Sequence, residues 1–271
     1  MITYDNKSRI DHIIDQIEWQ IKMGADDTID EKPNNRLNLI KDETSEDKDS
    51  MNEDYSKNED KSTLYNQHNE NNLSLDNINN LKDLKNAINN FEGCDLRKTA
   101  TQTVFSDGNP ESKIVFVGEA PGAEEDRQGK PFVGKSGQLL DRMLAAINLS
   151  RQNVYITNII PWRPPGNRTP TEEEVKMMKP FLIKHLELID PEIIVAVGGS
   201  SAKGLMNISG GILRHRGKWG TIELNLEKKV NIIATLHPAY LLRAPNQKKL
   251  AWEDLKMIRD KFILIQNNQN L

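Results

Sequence analysis

The chain has 271 residues, a formal net charge of −4 and a single cysteine, Cys94. One cysteine excludes an intramolecular disulfide and any zinc or iron–sulfur site built only from cysteines of this chain. The amino terminus lacks an apolar signal core and no apolar run approaches about 18 residues, so we expect a soluble, cytoplasmic protein.

The amino-terminal segment, residues 1–39, contains one amphipathic helix. Isoleucines recur at helical spacing over residues 8–23 and form an apolar stripe, while the opposite face is acidic. A lone helix of this length is marginal in water, so we expect it to dock on the main domain or on a partner protein. The acidic face argues against a role at a membrane.

Composition changes sharply after this segment. Residues 41–70 carry ten acidic and four basic side chains and few large apolar residues. Such a stretch cannot bury enough apolar surface to offset its ordering entropy, which predicts a disordered, Asn-rich linker over residues 40–82. The net charge is −10 over residues 1–83 (10 basic, 20 acidic) and +6 over residues 84–271 (26 basic, 20 acidic). The predicted folded domain, residues 83–271, is therefore mildly basic, as a phosphate-backbone partner would favour.

The domain alternates apolar runs with helical patterns. Four near-continuously apolar runs are typical of buried parallel strands; they cover residues 113–117, 154–160, 192–197 and 230–235. Helical patterns cover residues 136–147, 172–188, a short stretch after Gly199, and 247–265. Residues 221–224 and 229–233 could form a hairpin. This order predicts an α/β fold, a three-layer α/β/α domain with a central, mainly parallel four-stranded sheet.

Polar side chains stand at the ends of three predicted strands. Glu119 follows the first strand, Asn158 lies near the end of the second, and His237 follows the fourth. Ligands of open α/β sheets bind outside the carboxyl ends of the strands. We therefore expect these three side chains to converge on one site.

A second pattern overlaps the first strand end. Gly129 to Ser136 match the phosphate-binding pattern G-x-x-x-x-G-K-[ST], which would indicate a nucleotide hydrolase. That loop requires a strand directly before its first glycine, whereas six charged, polar or small residues precede Gly129. Spacing therefore disfavours the nucleotide-binding interpretation.

Five sequence blocks, in consistent order over residues 91–262, resemble the family 4 (thermostable-type) uracil-DNA glycosylases. The blocks are residues 118–122, 131–134, 156–158, 163–171 and 237–243. The resemblance implies a uracil-DNA glycosylase-like fold and an enzyme of base excision repair that hydrolyses the N-glycosidic bond of uracil in DNA. No lysine is placed as a Schiff-base nucleophile, so we expect a monofunctional enzyme that leaves an abasic site uncut.

The resemblance also implies roles for pocket residues. Phe132 would stack on the base, Asn158 would read its Watson–Crick edge, and His237 would stabilise negative charge at uracil O2. Glu119 or Glu125 would orient the attacking water, and which of them does so stays open because Glu125 lies in an acidic run typical of a solvated face. Small residues leave room for the base or water, and we take Ala120 and Gly122 as substrate-binding residues.

Further residues are candidates for DNA contact. In an exposed turn, Leu241 and Leu242 would form a wedge that fills the space left by the flipped base. Cationic and helix-start residues would contact phosphates; they are Lys135, Ser136, Arg163, Arg168 and Arg243.

The family normally holds a four-iron cluster on four cysteines. By the spacing of the blocks those positions are Phe91, Cys94, Trp162 and Met178, so we expect no cofactor here. The expected partner is uracil-containing DNA, bound by a monomer. Two alternatives stay open: a uracil- or abasic-DNA binding module without catalysis, and an accessory protein tethered to a repair assembly through helix 8–23.

Overall fold

The computed structural model describes residues 75–224 and 228–269. The predicted helix 8–23, the rest of the amino-terminal segment and the linker up to residue 74 lie outside the described residues. The α-helices are α1 (Leu81–Asn90), α2 (Leu96–Thr99), α3 (Ala123–Gln128), α4 (Lys135–Ala145), α5 (Glu172–Ile189), α6 (Gly199–Met206), α7 (Ile212–His215), α8 (Pro238–Arg243) and α9 (Lys248–Gln269). Short 3-10 turns cover Leu75–Asn77, Pro165–Asn167 and Pro245–Gln247.

The described strands form one sheet. They are β1 (Asp107–Gly108), β2 (Ile114–Gly118), β3 (Tyr155–Asn158), β4 (Ile193–Val197), β5 (Trp219–Glu223) and β6 (Lys229–Thr235), in the order β1-β3-β2-β4-β6-β5. The four central strands are parallel, and β1 and β5 pair antiparallel at the two edges. The sheet thus has six strands rather than the four predicted. β5 is the expected hairpin partner of β6, whereas β1 has only two residues and no apolar pattern.

Alternate residues of the central strands pack in two separate apolar layers, because successive side chains of a strand point to opposite faces of the sheet. Val115 and Val117 pack in the layer that includes buried residues of α1, α5 and α6. Phe116 packs in the other layer, with residues of α4 and α9. Helices therefore cover both faces, which confirms the predicted three-layer α/β/α architecture.

Ordered structure begins before residue 83, where the sequence places the domain start. Ile78 is buried in the first apolar layer and Leu84 is fully buried there. The Asn80 side chain accepts a hydrogen bond from the Asp83 amide and caps α1. Within the described part of the chain, no helix combines the length and apolar character needed to span a membrane.

The sheet order fixes where a site can form. From β2 the chain crosses to β3 on one side, and from β3 it returns to β4 on the other side of β2. Neighbouring connections therefore diverge at the carboxyl end of β2. Such a switch point leaves a crevice between the loops, which is where ligands bind in open α/β sheets.

Candidate active site

A cleft of about 720 Å³ occupies this switch point. Loops after β2, β3, β4 and β6 form its wall, so residues far apart in sequence meet there. Most of the sequence-predicted site residues line it: Glu119, Ala120, Gly122, Glu125, Phe132, Lys135, Ser136, Asn158, Arg168, His237 and Arg243. The other three, Arg163, Leu241 and Leu242, are not among the residues that form its wall.

Asn158 ends β3 and presents its side-chain amide to the cleft. Its backbone pairs with Gly118 of β2, and the residue is only 6% exposed. No other described residue hydrogen-bonds its amide. A Cβ at Gly118 would lie 2.2 Å from the Asn158 Oδ1 atom, so glycine is needed beside it. Buried polar groups almost always have a hydrogen-bond partner, so this amide is available to pair with a molecule that enters the cleft.

Phe132 contributes an aromatic ring to the same wall. The ring lies against Gly118, where a Cβ would be 2.7 Å away, and its centroid is 5.6 Å from that of the His237 imidazole. The backbone of Phe132 has φ +54°, in the left-handed region that costs a bulky residue about 1–3 kcal/mol. Surrounding contacts must therefore hold the ring in place.

The two candidate glutamates have different surroundings. The Glu125 carboxylate accepts hydrogen bonds from the amides of Gly122 (3.1 Å), Val133 (2.9 Å) and Gly134 (2.8 Å). It therefore ties the start of α3 to the segment that carries Phe132. The Glu119 carboxylate is half-buried at the cleft and has no hydrogen-bond partner among the described residues. Glu119 is thus free to act on a water or substrate, whereas Glu125 is occupied by backbone amides.

His237 directly follows β6 and is held as a neutral hydrogen-bond donor. Its Nδ1 accepts from the Ala239 amide at 3.1 Å, which leaves the proton of the neutral ring on Nε2. Burial and the nearby Arg243 charge lower the pKa of His237 to about 4, against an opposing effect of Glu125. Gly198, with φ +96°, permits this placement, since a Cβ there would lie 2.9 Å from the His237 Cβ.

The prediction that Leu241 lies in an exposed turn and forms part of a wedge is wrong. Residues 238–243 form the helix α8 rather than an exposed turn, and Leu241 is fully buried in the second apolar layer. Leu242 is 41% exposed, because neighbouring helical residues point in directions about 100° apart. Of these two leucines, only Leu242 is therefore accessible from outside.

The predicted phosphate contacts also divide into groups. Lys135 and Ser136 begin α4 at the cleft, and Arg243 is exposed at its rim. Arg168 lines the cleft but makes a two-pronged ion pair with Glu174, at 2.6 and 2.9 Å. Arg163 is not part of the cleft wall, but its Nε donates to the side chain of Asn167, which is, at 2.6 Å. The positive charge of Arg168, unlike that of a free arginine, is thus already compensated by the Glu174 carboxylate.

Several cleft residues were missed by the sequence interpretation. Gly198 and Gly199 follow β4 and line the cleft, and the end of that predicted strand marked their location. Ile212 and Tyr240 also line it. Tyr240 lies inside a recognised block, whereas no sequence pattern identified Ile212.

The four residues at the positions that the resemblance assigns to cluster ligands do not fit an iron–sulfur cluster. Phe91, Cys94, Trp162 and Met178 share one apolar cluster, and the Trp162 indole donates to the Thr103 hydroxyl at 3.0 Å. Burial raises the pKa of the Cys94 thiol, which disfavours the thiolate that binds metal. Among the described residues, no group of three or more His, Cys, Asp or Glu side chains could hold a metal ion.

The phosphate-loop pattern has no phosphate-loop geometry. Gly129 adopts φ +70° and terminates α3, so a helix rather than a strand precedes it. β2 ends at Gly118, as the spacing of the sequence indicated. A Cβ at Gly137 would lie 1.7 Å from the Phe132 carbonyl oxygen, so this segment is packed against α4.

Comparison with known proteins agrees with the sequence blocks and the fold. The sequence model of the Uracil DNA glycosylase superfamily matches residues 105–256. The chain is 44% identical over 182 residues to the type-4 uracil-DNA glycosylase of Archaeoglobus fulgidus, covering 66% of this chain and 91% of that protein. It is 40% identical over 168 residues to the type-4 uracil-DNA glycosylase of Thermotoga maritima, covering 60% and 84%. Identity to the type-4 enzyme of Sulfurisphaera tokodaii is 39% over 188 residues, covering 68% and 85%. The chain therefore belongs to the uracil-DNA glycosylase superfamily.

Proposed function

We propose that this chain is a uracil-DNA glycosylase that hydrolyses the N-glycosidic bond of uracil in DNA and leaves an abasic site. The curated type-4 relatives carry that activity in their names. The observation that supports it best is the buried Asn158 amide, which faces the cleft and has no hydrogen-bond partner among the described residues. The proposed substrate is uracil-containing DNA.

Base recognition follows from the chemistry of one amide. The Asn158 NH₂ can donate to uracil O4, and its Oδ1 can accept from uracil N3–H. Cytosine presents the opposite pattern at both positions, so it leaves the amide unpaired in the orientation that suits uracil. The uracil must leave the stack to reach this amide, and the Phe132 ring provides the aromatic face on which it stacks.

Bond cleavage needs stabilisation of charge on both fragments. Negative charge grows on the leaving base, and the Nε2–H of neutral His237 would donate to O2 as it does so. A neutral donor at pH 7 is what the low pKa of about 4 provides. Positive charge grows on the sugar, and the Glu119 carboxylate would stabilise it and orient the attacking water.

The remaining exposed residues suit a DNA backbone. Arg243 and Lys135 flank the cleft, and neither forms an ion pair within the described residues. They would contact phosphates on either side of the flipped nucleotide. Leu242 would fill the space that the nucleotide leaves.

We further propose that the enzyme works without an iron–sulfur cluster. Support comes from the apolar residues at three of the four positions that the resemblance assigns to cluster ligands, and from the single cysteine of the chain. Packing of these residues then supplies the local stability that a cluster would otherwise supply. The reaction itself needs no metal, because the proposed donors and carboxylate are all side chains of the cleft.

The experiment is a cleavage assay on single- and double-stranded oligonucleotides with one uracil. The wild-type chain should generate an alkali-labile abasic site, and no strand break before alkali. Glu119→Gln should bind the same DNA and cleave it far more slowly. Absence of abasic sites with both substrates would overturn the proposal, and binding without release would favour the non-catalytic binding module.

A further inference from the structure

We propose that Arg151, which lies outside the cleft wall, is the positioning residue that holds Phe132 in its stacking conformation. The proposal rests on the proposed function, since it concerns how the base platform of that reaction is set. Arg151 follows α4 and precedes β3, and its side chain is 24% exposed. It is absent from the residues that line the cleft, so any effect on the reaction must pass through another group.

The guanidinium of Arg151 joins the Phe132 segment to two regular elements. Its Nη2 donates to the carbonyl oxygen of Phe132, and its Nη1 donates to that of Pro131 at 3.1 Å. Nη1 also donates to the Asp107 carboxylate of β1 at 2.6 Å, and Nε donates to Asp141 of α4 at 2.8 Å. One planar cation thus ties the sheet edge and a helix to the two residues that set the direction of the Phe132 ring.

The peptide between Phe132 and Val133 is held at both ends by opposite charges. Its carbonyl oxygen accepts from the Arg151 cation, and its N–H donates to the Glu125 carboxylate at 2.9 Å. Hydrogen bonds to ionised groups are roughly twice as strong as neutral ones. Both charges match the peptide dipole, so the orientation of this one peptide plane is fixed from two sides.

The backbone of Phe132 needs such restraint. Its φ of +54° lies in a region that a bulky residue leaves unless its surroundings hold it. The approach of Gly137 to the Phe132 carbonyl leaves no room for a Cβ, so this carbonyl is pressed against α4. Without Arg151 the carbonyl would lose its donor while the strained conformation stayed unfavourable. We therefore expect the ring to leave its stacking position.

Lysine cannot replace arginine at this site. The guanidinium presents five N–H groups in a rigid fork, and here it serves two carbonyls and two carboxylates together. An ammonium group has three donors on a flexible stem and would reach fewer of these acceptors. We therefore expect Arg151→Lys to release uracil more slowly than the wild type but faster than Arg151→Gln.

The test is a double-mutant cycle on the rate of uracil release in single turnover with enzyme in excess. Arg151→Gln is measured in the wild-type background and in the Phe132→Ala background. A displaced platform should slow release by about 10- to 100-fold in the wild-type background, the scale of an approximately 1 Å misplacement. In the Phe132→Ala background the same change should cost less than about twofold, because the group through which Arg151 acts is gone. Arg259→Gln, which removes an exposed charge-assisted bond to the neighbouring Asp260 on α9, should change neither rate.

Equal fold-changes in the two backgrounds would overturn the proposal, and so would an unchanged rate for a folded Arg151→Gln. Thermal unfolding of each variant establishes that it is folded at the assay temperature. If Arg151→Gln does not fold, Asp107→Asn, which removes one anchor of the guanidinium, is put through the same cycle with the same criteria. Absence of uracil release by the wild-type chain would instead count against the proposed function.

Discussion

In the proposed reaction, single side chains decide which base enters the cleft, and Asn158 is the first of them. Asn158→Asp keeps the shape of the side chain but removes the NH₂ that would donate to uracil O4. A bidentate side-chain–base pair contributes about 1–3 kcal/mol of discrimination. We expect single-turnover uracil release to fall by about 5- to 150-fold, since each 1.36 kcal/mol is a factor of ten.

The matched control for this substitution is Asn109→Asp. The Asn109 side-chain oxygen accepts from the Glu111 amide, a bond that aspartate also makes, and the residue lies outside the cleft wall. Its rate should equal that of the wild type. Unchanged release by Asn158→Asp would remove Asn158 from base recognition.

A second prediction at this scale concerns pH and the buried His185. Its Nε2 lies 2.9 Å from the Tyr155 hydroxyl, and burial lowers the pKa of His185 to about 3. The unfolded chain binds the proton near pH 6.5 and the folded chain does not, so the free energy of unfolding falls as pH drops from about 6.5 toward 3. His237 acts in the same direction down to about pH 4.

Each of these histidines should contribute a slope of up to about 1.4 kcal/mol per pH unit below pH 6. Urea denaturation of the wild type and of His185→Gln at pH 7, 6 and 5 measures it. In His185→Gln the free energy of unfolding should fall less steeply with decreasing pH, by the contribution of one histidine. Parallel curves for the two proteins would show that His185 does not stay neutral in the folded state.

At the scale of elements, α8 places two adjacent leucines in opposite surroundings. Leu241 is fully buried and Leu242 is 41% exposed. Leu241→Ala should lower the free energy of unfolding by about 2–5 kcal/mol, as loss of a buried leucine does. Leu242→Ala should change it by less than about 0.5 kcal/mol but slow uracil release from duplex more than from single-stranded DNA, because only a duplex requires a wedge.

Unfolding by urea and cleavage of both substrates measure this pair. Equal loss of activity on duplex and single strands by Leu242→Ala would contradict the wedge. The sequence did not separate the two leucines, because the block that contains them shows no periodicity over six residues and was interpreted as a turn. Helix α8 forms there because Pro238 suits the first helical turn and His237 caps it through Nδ1.

Elements with long apolar patterns were predictable and short ones were not. The observed bounds agree within a few residues with the predicted ones for the four parallel strands and for α4, α5 and α9. Burial on both faces leaves a strong apolar signal in such strands, and the long helices carry a clear apolar stripe. The strand β1 has two residues, and α3 consists of charged and polar residues apart from Ala123. Neither carries a pattern that sequence reasoning could detect.

Local sequence patterns also failed to predict the surroundings of Glu125. Its acidic neighbours suggested a solvated face, whereas its partners are the amides of Val133 and Gly134, eight and nine residues further on. Contacts that depend on the path of a loop leave no trace in local composition. Arg151 is a stronger example, because Asp107 lies 44 residues before it.

At the scale of the whole molecule, the sheet order sets the position of the cleft. Strand ends placed Glu119, Asn158 and His237 together from sequence alone, because parallel strands share a carboxyl edge. Phe91, Cys94, Trp162 and Met178 instead belong to the apolar layer that includes residues of α1 and α5. None of these four residues lines the cleft.

The most direct test of uracil release by a protein without an iron–sulfur cluster makes two measurements on one purified sample. Free uracil released from a uracil-containing single strand is quantified by mass spectrometry, and iron is quantified in the same protein. We predict many uracils released per chain by protein with iron far below one atom per chain. No release, or release that scales with iron content across fractions, would contradict the account.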